Sequence, residues 1–178
     1  VSSVDIEVEV FVHGAICSAF SGNCELSYFD NGNSGNRGKC KQLCRLKYYS
    51  SLSKKDEYYM SPRDLCLIEK IKLLKETGVA SVKIEGRLKG ADYVTAVTNA
   101  YRRAIDGYFS ADDVERMKIA FNRGNFTEGY IQGVNNIIEP KIQNHIGIRI
   151  GTVRKVKKIN GFYEIYFNSD KNLKKGDG

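Results

Sequence analysis

The chain has 178 residues, of which 42% are hydrophobic and 11% aromatic, enough for a packed core and too apolar for a disordered tail. No window approaches the ~20 uninterrupted apolar residues that a membrane span requires, and the opening VSSVDIEVEV lacks the basic and apolar regions of a signal peptide, so the cytoplasm is the default compartment. Lys and Arg total 28 against 21 Asp and Glu, a formal charge of +7 that raises affinity for polyanions and is equally met by a solvated basic surface such as RKVKK at 154–158.

In chain order, residues 4–12 alternate so that Ile6, Val8, Val10 and Val12 share one face, the two-residue period of a strand that runs out at His13 and Gly14. Residues 14–47 are glycine-rich and hold no sustained period, and so long a stretch inside a compact protein is functional or externally stapled. A hairpin is predicted within 46–59. SPRDL then reads as a helix start, with Ser61 as cap, Pro62 at the first helical position and Asp64 completing a capping box, so Asp64 is given to capping rather than catalysis. Leu65, Ile68, Ile71 and Leu74 continue that helix to Gly78. VASVKIEGR predicts a short buried strand. Residues 91–108 predict an amphipathic helix bearing Tyr93, Val94, Val97, Tyr101, Ala104 and Ile105 on one face, and 111–121 a second.

Strand, helix, strand, helix in that order predicts parallel βα units, with His13 and Glu85 at carboxyl ends of strands. From residue 147 the pattern becomes two alternating runs joined by Asn160-Gly161, a hairpin opening a separate small β domain. The sequence opens without methionine inside a strand-like run and closes on NLKKGDG, a turn that ordinarily leads to another strand, which predicts a piece of a longer protein.

The cysteines fall as Cys17-x6-Cys24-x15-Cys40-x3-Cys44, with Cys66 apart. A reducing cytoplasm disfavours disulfides, so a metal or a reactive thiol is preferred. Four thiolates suit tetrahedral zinc or an iron–sulfur cluster, and four unligated thiols are the bland alternative. Cys66 reads as a small apolar residue packed on a buried helix. Glu85 and Arg87 would bring a carboxylate and a guanidinium to the strand rim, for acid–base work or as a structural ion pair. Lys83, on the same strand face, belongs to a basic pocket or a buried pair. Asn36 and Arg37, next to glycine, suit phosphate or cofactor contact, or simply a turn. His13 could position substrate, or be a strand-end histidine satisfied by backbone.

The segment EVFVHGAIC (9–17) followed by Ser21-Gly22, Cys24, Leu26 and Ser27, then NSGNRGKCKQLCR (33–45), SPRDLCLI (61–68), VKIEGRLK (82–89) and YVTAVTNAYRRAID (93–106), resembles the collagenase-like peptidase family U32. The resemblance runs over roughly residues 5–150, and the final hairpin resembles the start of that family's carboxyl-terminal β-barrel. It implies an α/β fold: the later part of a TIM-barrel-like domain over 1–140 with a Cys/Gly-rich insertion, then a small β domain from 145. It also implies a bacterial or archaeal source. Some members were first named peptidases; others are needed for hydroxylation of pyrimidines in rRNA or tRNA, or for oxygen-independent ubiquinone hydroxylation, and the best characterised carry a 4Fe–4S cluster. Cys17, Cys24, Cys40 and Cys44 occupy the cysteine positions of the RNA-hydroxylation members.

Against the peptidase, neither a Gly-x-Ser-x-Gly elbow nor a His-Glu-x-x-His helix is present, and His13 and His145 are the two histidines. A Cys17–His13 nucleophile pair is conceivable but leaves three cysteines unexplained. The expectation is therefore an iron–sulfur enzyme hydroxylating an RNA pyrimidine, with RNA as partner and no membrane. The alternatives are a peptidase with a peptide substrate and a zinc-stapled RNA-binding module.

Overall fold

The structure, a computed structural model, describes residues 3, 5–20, 23–131, 133, 136–171, 173 and 174. Val1, Ser2, Val4, Ser21, Gly22, Asn172 and residues 175–178, which belong to segments named above, lie outside that set. The chain divides into two compact units, Val1–Gly147 and Ile148–Gly178.

In the first unit, β1 (Glu9–Ala15) begins later than the alternation predicts. Its parallel partner reaches only as far back as the Glu9–Ser81 register pair, and Ile6, with nothing to cover it, is 72% exposed. A short helix α1 (Leu26–Asn31) follows, ended by Gly32 at φ +65. Two 3-10 turns (Gly35–Arg37 and Leu43–Arg45) and the hairpin of β2 (Tyr48–Ser50) and β3 (Lys55–Glu57) lead to β4 (Asp64–Cys66). Then come a 3-10 turn (Ile68–Lys70), α2 (Ile71–Glu76), β5 (Ser81–Ile84), α3 (Ala91–Ile105), α4 (Ala111–Ala120) and β6 (Phe126–Thr127).

The strands order as β5-β1-β4-β6. Pairs β1/β5 and β4/β6 are parallel, as βα units require, but β1/β4 is antiparallel. The result is a mixed α/β sheet, open at β5 and β6; no closed barrel forms among the described residues. Because β5 is an edge strand, its residues alternate between exposed and half-buried instead of forming a buried run.

The helix expected from Ser61 is displaced. Tertiary contacts claim the residues that would cap it: Ser61 is fully buried and accepts a hydrogen bond from Arg45, Pro62 bridges to Ile138, and the Asp64 carboxylate is paired with Arg123. Residues 64–66 then pair with 13–15 as a strand, and regular helix begins only at Ile71. Cys66 therefore sits on β4, opposite His13, rather than on a helix.

The core gathers Val12, Leu65, Leu67, Ile68, Ile71, Tyr93, Val97, Ala100, Tyr101 and Met117. Each large side chain removed fully from water there stabilises the fold by about 1.5–3 kcal/mol. Tyr101 joins α3 to the sheet, donating to the Val12 carbonyl at 2.7 Å and accepting from the Leu67 N–H at 3.0 Å.

In the second unit β7 (Thr152–Ile159) and β8 (Phe162–Asn168) form the expected hairpin. Asn160 and Gly161, at φ +50 and +86, supply the left-handed pair that a two-residue turn demands. No helix among the described residues is long and apolar enough to cross a membrane.

Candidate functional site

The parallel pair β1/β5 ends at one rim. There the Glu85 N–H donates to the His13 carbonyl at 2.8 Å, and the Tyr93 hydroxyl donates to the Glu85 carbonyl at 2.8 Å. This fixes the Glu85 backbone. Its carboxylate accepts the main-chain N–H of Arg87 at 2.9 Å, while the Arg87 guanidinium reaches the Gly38 carbonyl at 3.4 Å. The strand rim is thereby tied to the turn that carries Asn36 and the exposed Arg37.

Lys83 is engaged elsewhere: its Nζ lies 3.3 Å from Glu9 Oε1 and over the Phe11 ring, and its side chain is about half exposed. His13 is 1% exposed, enclosed by Tyr93, Tyr101 and Phe126 with ring centroids 5.1 to 5.9 Å away. Burial lowers its pKa to about 4, so the imidazole is neutral at physiological pH. Its Nδ1 lies 3.4 Å from the Tyr101 hydroxyl and its Nε2 has no hydrogen-bond partner. Facing it, Cys66 is half-buried, and burial raises its thiol pKa.

All five cysteines are free thiols, Cys17 and Cys40 exposed, Cys24 and Cys44 half-buried. The Cys40 sulfur accepts the Gln42 N–H at 3.3 Å, and the Lys41 N–H donates to the buried Ser27 of α1 at 3.0 Å, which holds the Cys40 loop against that helix. Among the described residues, no group of three or more His, Cys, Asp or Glu side chains is placed to hold a metal ion.

Beside these thiols lies a cluster that the motifs did not disclose. Arg45, 6% exposed, donates to the Ser61 hydroxyl at 3.0 Å, to the Pro62 carbonyl and to the Ile16 carbonyl at 3.4 Å. Arg123, 9% exposed, donates to Asp64 Oδ1 at 2.9 Å, whereas Asp64 Oδ2 is buried without a partner. Burial, reinforced by Arg123, lowers the Arg45 pKa to about 10, against the opposing pull of Asp64, Cys44 and Cys17. Burial likewise raises the Asp64 pKa, although Arg123, Arg45 and Lys89 pull it down. Lys89 lies over the Phe121 ring and is brought down to about 8, by burial first and then by Arg123.

Two of these cations, Arg45 and Arg123, line an open cavity of about 270 Å³ together with Cys40, Lys41, Gln143 and Asn144. A signal was present in sequence: Arg45 follows a cysteine directly, and Arg123 stands before a glycine in FNRGNF. Arginine rather than lysine at such points fits a rigid, buried, multiply donating role.

A family model described as peptidase family U32 matches residues 1–139. The chain belongs to peptidase family U32. The U32 chain is 38% identical over 141 residues to a collagenase of Porphyromonas gingivalis, covering 72% of this chain and 39% of the relative. It is 44% identical over 116 residues to a tRNA hydroxylation protein of Bacillus subtilis (59% of this chain, 28% of the relative). It is 38% identical over 109 residues to a 23S rRNA 5-hydroxycytidine synthase of Escherichia coli (58% and 17%). The U32 chain thus spans well under half the length of these relatives. No solved structure matches it significantly.

For a thiol peptidase the U32 chain offers poor geometry. Cys17 is exposed whereas His13 is enclosed by aromatic rings, and His145 is stacked on Phe121 with its Nδ1 accepting the Asn122 N–H at 3.1 Å. The His13 ring is shut away from solvent and the His145 Nδ1 already accepts a main-chain N–H, whereas a general base must be within hydrogen-bond reach of the proton it takes.

Proposed function

We propose that the full-length protein is an iron–sulfur enzyme that hydroxylates a pyrimidine of rRNA or tRNA, with Cys17, Cys24, Cys40 and Cys44 as the cluster ligands. One observation carries the proposal: four free, solvent-reachable thiols lie on one glycine-rich segment, and the buried Arg45, next to Cys44 in the chain, donates to the Ile16 carbonyl next to Cys17. A guanidinium held there offsets the negative charge that thiolate ligation concentrates.

The donor chemistry suits such a cluster, since all four ligands are thiols and none is committed to a disulfide. The described residues do not gather three of them at one point, so the 17–44 segment has to close when the group assembles. The cluster would supply a redox centre. The chain's own residues supply the rest: Glu85 and Arg87 as polar groups at the rim, and a cationic cavity next to Cys40.

RNA as substrate is supported by the relatives named for tRNA and rRNA hydroxylation, and by the charge of +7. The basic hairpin, with Lys157 over Tyr166 and Lys158 over Tyr163, is a further contact surface of the kind nucleic acids use. The test is iron, sulfide and zinc quantitation with a visible spectrum on full-length protein purified without oxygen, beside a Cys40→Ala, Cys44→Ala double variant. Modified pyrimidines are measured in parallel in a deletion strain. Thiolate-to-iron absorption that vanishes in the variant, together with loss of a hydroxylated pyrimidine, is the expected result; stoichiometric zinc or an unchanged nucleoside profile overturns it.

The relative named as a collagenase supports a peptidase as the second reading. It requires gelatin cleavage that disappears in Cys17→Ala, and the burial of His13 weighs against it.

A further inference from the structure

We infer that the cavity floored by Arg45 and Arg123 is a phosphate site that holds one phosphodiester of the RNA strand. The inference rests on RNA being the substrate, as proposed above.

Two guanidiniums are almost entirely buried, and the carboxylate acting on both is Asp64, whose own ion pair is with Arg123. Arg45 is satisfied by neutral oxygens, those of Ser61, Pro62 and Ile16. Among the described residues Arg45 has no ion pair of its own, so the cavity wall that it shares with Arg123 carries two guanidinium charges against the one carboxylate of Asp64. A phosphodiester carries one negative charge. Lys41, at the cavity edge, and Lys89, close to Arg123, deepen the positive potential.

The lining adds donors of the right kind. Arg45, Arg123 and Lys41 are cationic, and Gln143 and Asn144 bring amide N–H groups. Gln143 donates to the Arg45 carbonyl at 3.0 Å, which holds the wall in place. Planar guanidiniums with fixed forks match phosphate oxygens better than an ammonium does. At about 270 Å³ and open to solvent, the cavity admits a phosphate with the sugars on either side, so a strand can enter and leave. Cys40 on the same wall places this phosphate beside the proposed ligand loop, where it would hold the strand in register with the reacting base.

The test uses full-length protein and two probes. A fluorescein-labelled single-stranded oligoribonucleotide reports binding by anisotropy over a range of salt, and inorganic phosphate reports occupancy by raising Tm. The variants are Lys41→Gln, at the exposed edge of the cavity, and Arg123→Lys, which keeps the charge opposite Asp64 but removes the fork; circular dichroism checks that each is folded. Losing a charged hydrogen bond to phosphate predicts roughly 10-fold weaker RNA binding for Arg123→Lys. Lys41→Gln should reduce the salt slope by about 0.7, the share of one phosphate on a single strand.

Folded variants that bind RNA with wild-type affinity and slope overturn the phosphate site and leave the RNA reading standing. A wild-type protein that binds no RNA overturns both. Phosphate raising Tm equally in wild type and Arg123→Lys while RNA binding is also unchanged shows an adventitious anion effect, and again overturns the site.

Discussion

A Cβ placed on Gly14 would stand 2.3 Å from the carbonyl oxygen of Glu85. Gly14 also has φ +106, a conformation that side chains rarely tolerate. The two facts have one cause: the carboxyl ends of β1 and β5 approach so closely that the rim closes only over a hydrogen atom. Gly14→Ala should therefore destabilise the protein by about 2–4 kcal/mol, combining backbone strain with a steric clash against main chain that cannot rotate away. Urea unfolding measures it, and a loss under about 0.5 kcal/mol, the size of an ordinary surface change, would show that the rim yields.

The Asp64–Arg123 pair predicts an asymmetry. Removing the carboxylate in Asp64→Ala leaves the buried guanidinium of Arg123 without its ion-pair partner, and breaking a buried pair from one side costs about 3–5 kcal/mol. Replacing both partners, as in Asp64→Leu with Arg123→Met, should cost less than the single variant, because Arg123 is then neither left buried and unpaired nor repelling Arg45. A double variant less stable than Asp64→Ala would contradict this account.

His13 makes acid stability a specific test. Its folded-state pKa of about 4 lies below the ordinary 6.5, so between those values the unfolded chain binds the proton and the folded one does not. The stability it contributes is complete above pH 6.5 and is lost as the pH falls towards 4, by about 3 kcal/mol over the window. Carboxylates add their own acid sensitivity, so the measurement is the difference between wild type and His13→Leu across pH 7 to 4, roughly the interval between the two pKa values. Parallel curves would mean that the ring is solvated.

Two stretches show how far local sequence carries. SPRD at 61–64 and SADD at 110–113 present the same capping pattern. At Ser110 it operates: the Asp113 carboxylate accepts the Ser110 N–H at 2.9 Å, and α4 starts where periodicity predicts. At Ser61 it does not, because Arg45 takes the hydroxyl and Arg123 takes the carboxylate, partners 16 and 59 residues away. The hairpin at Asn160-Gly161, helix α3 and the parallel β1/β5 pairing were legible since each depends on short-range period or order. The antiparallel β4 and the buried arginines were not, since both arise from distant contacts that no window contains. The same contrast predicts that Ser110→Ala costs about 1 kcal/mol as a lost cap, read in urea unfolding.

The thiols can be ranked by exposure and then used to test ligation. In the metal-free protein, iodoacetamide should modify the exposed Cys17 and Cys40 first, Cys24 and Cys44 more slowly, and Cys66 last, since its thiol is half-buried with a raised pKa next to Tyr101. After anaerobic reconstitution of the full-length protein with iron and sulfide, a four-thiolate site protects Cys17, Cys24, Cys40 and Cys44 together and leaves Cys66 unchanged. Peptide mass spectrometry reads all five at once. Protection of only one pair would reassign the loop to a smaller metal site, and no protection would make the four thiols ordinary surface cysteines. Protection of Cys66 in place of one of the four would move the ligand set inward toward β4, where His13 and Tyr101 already enclose it.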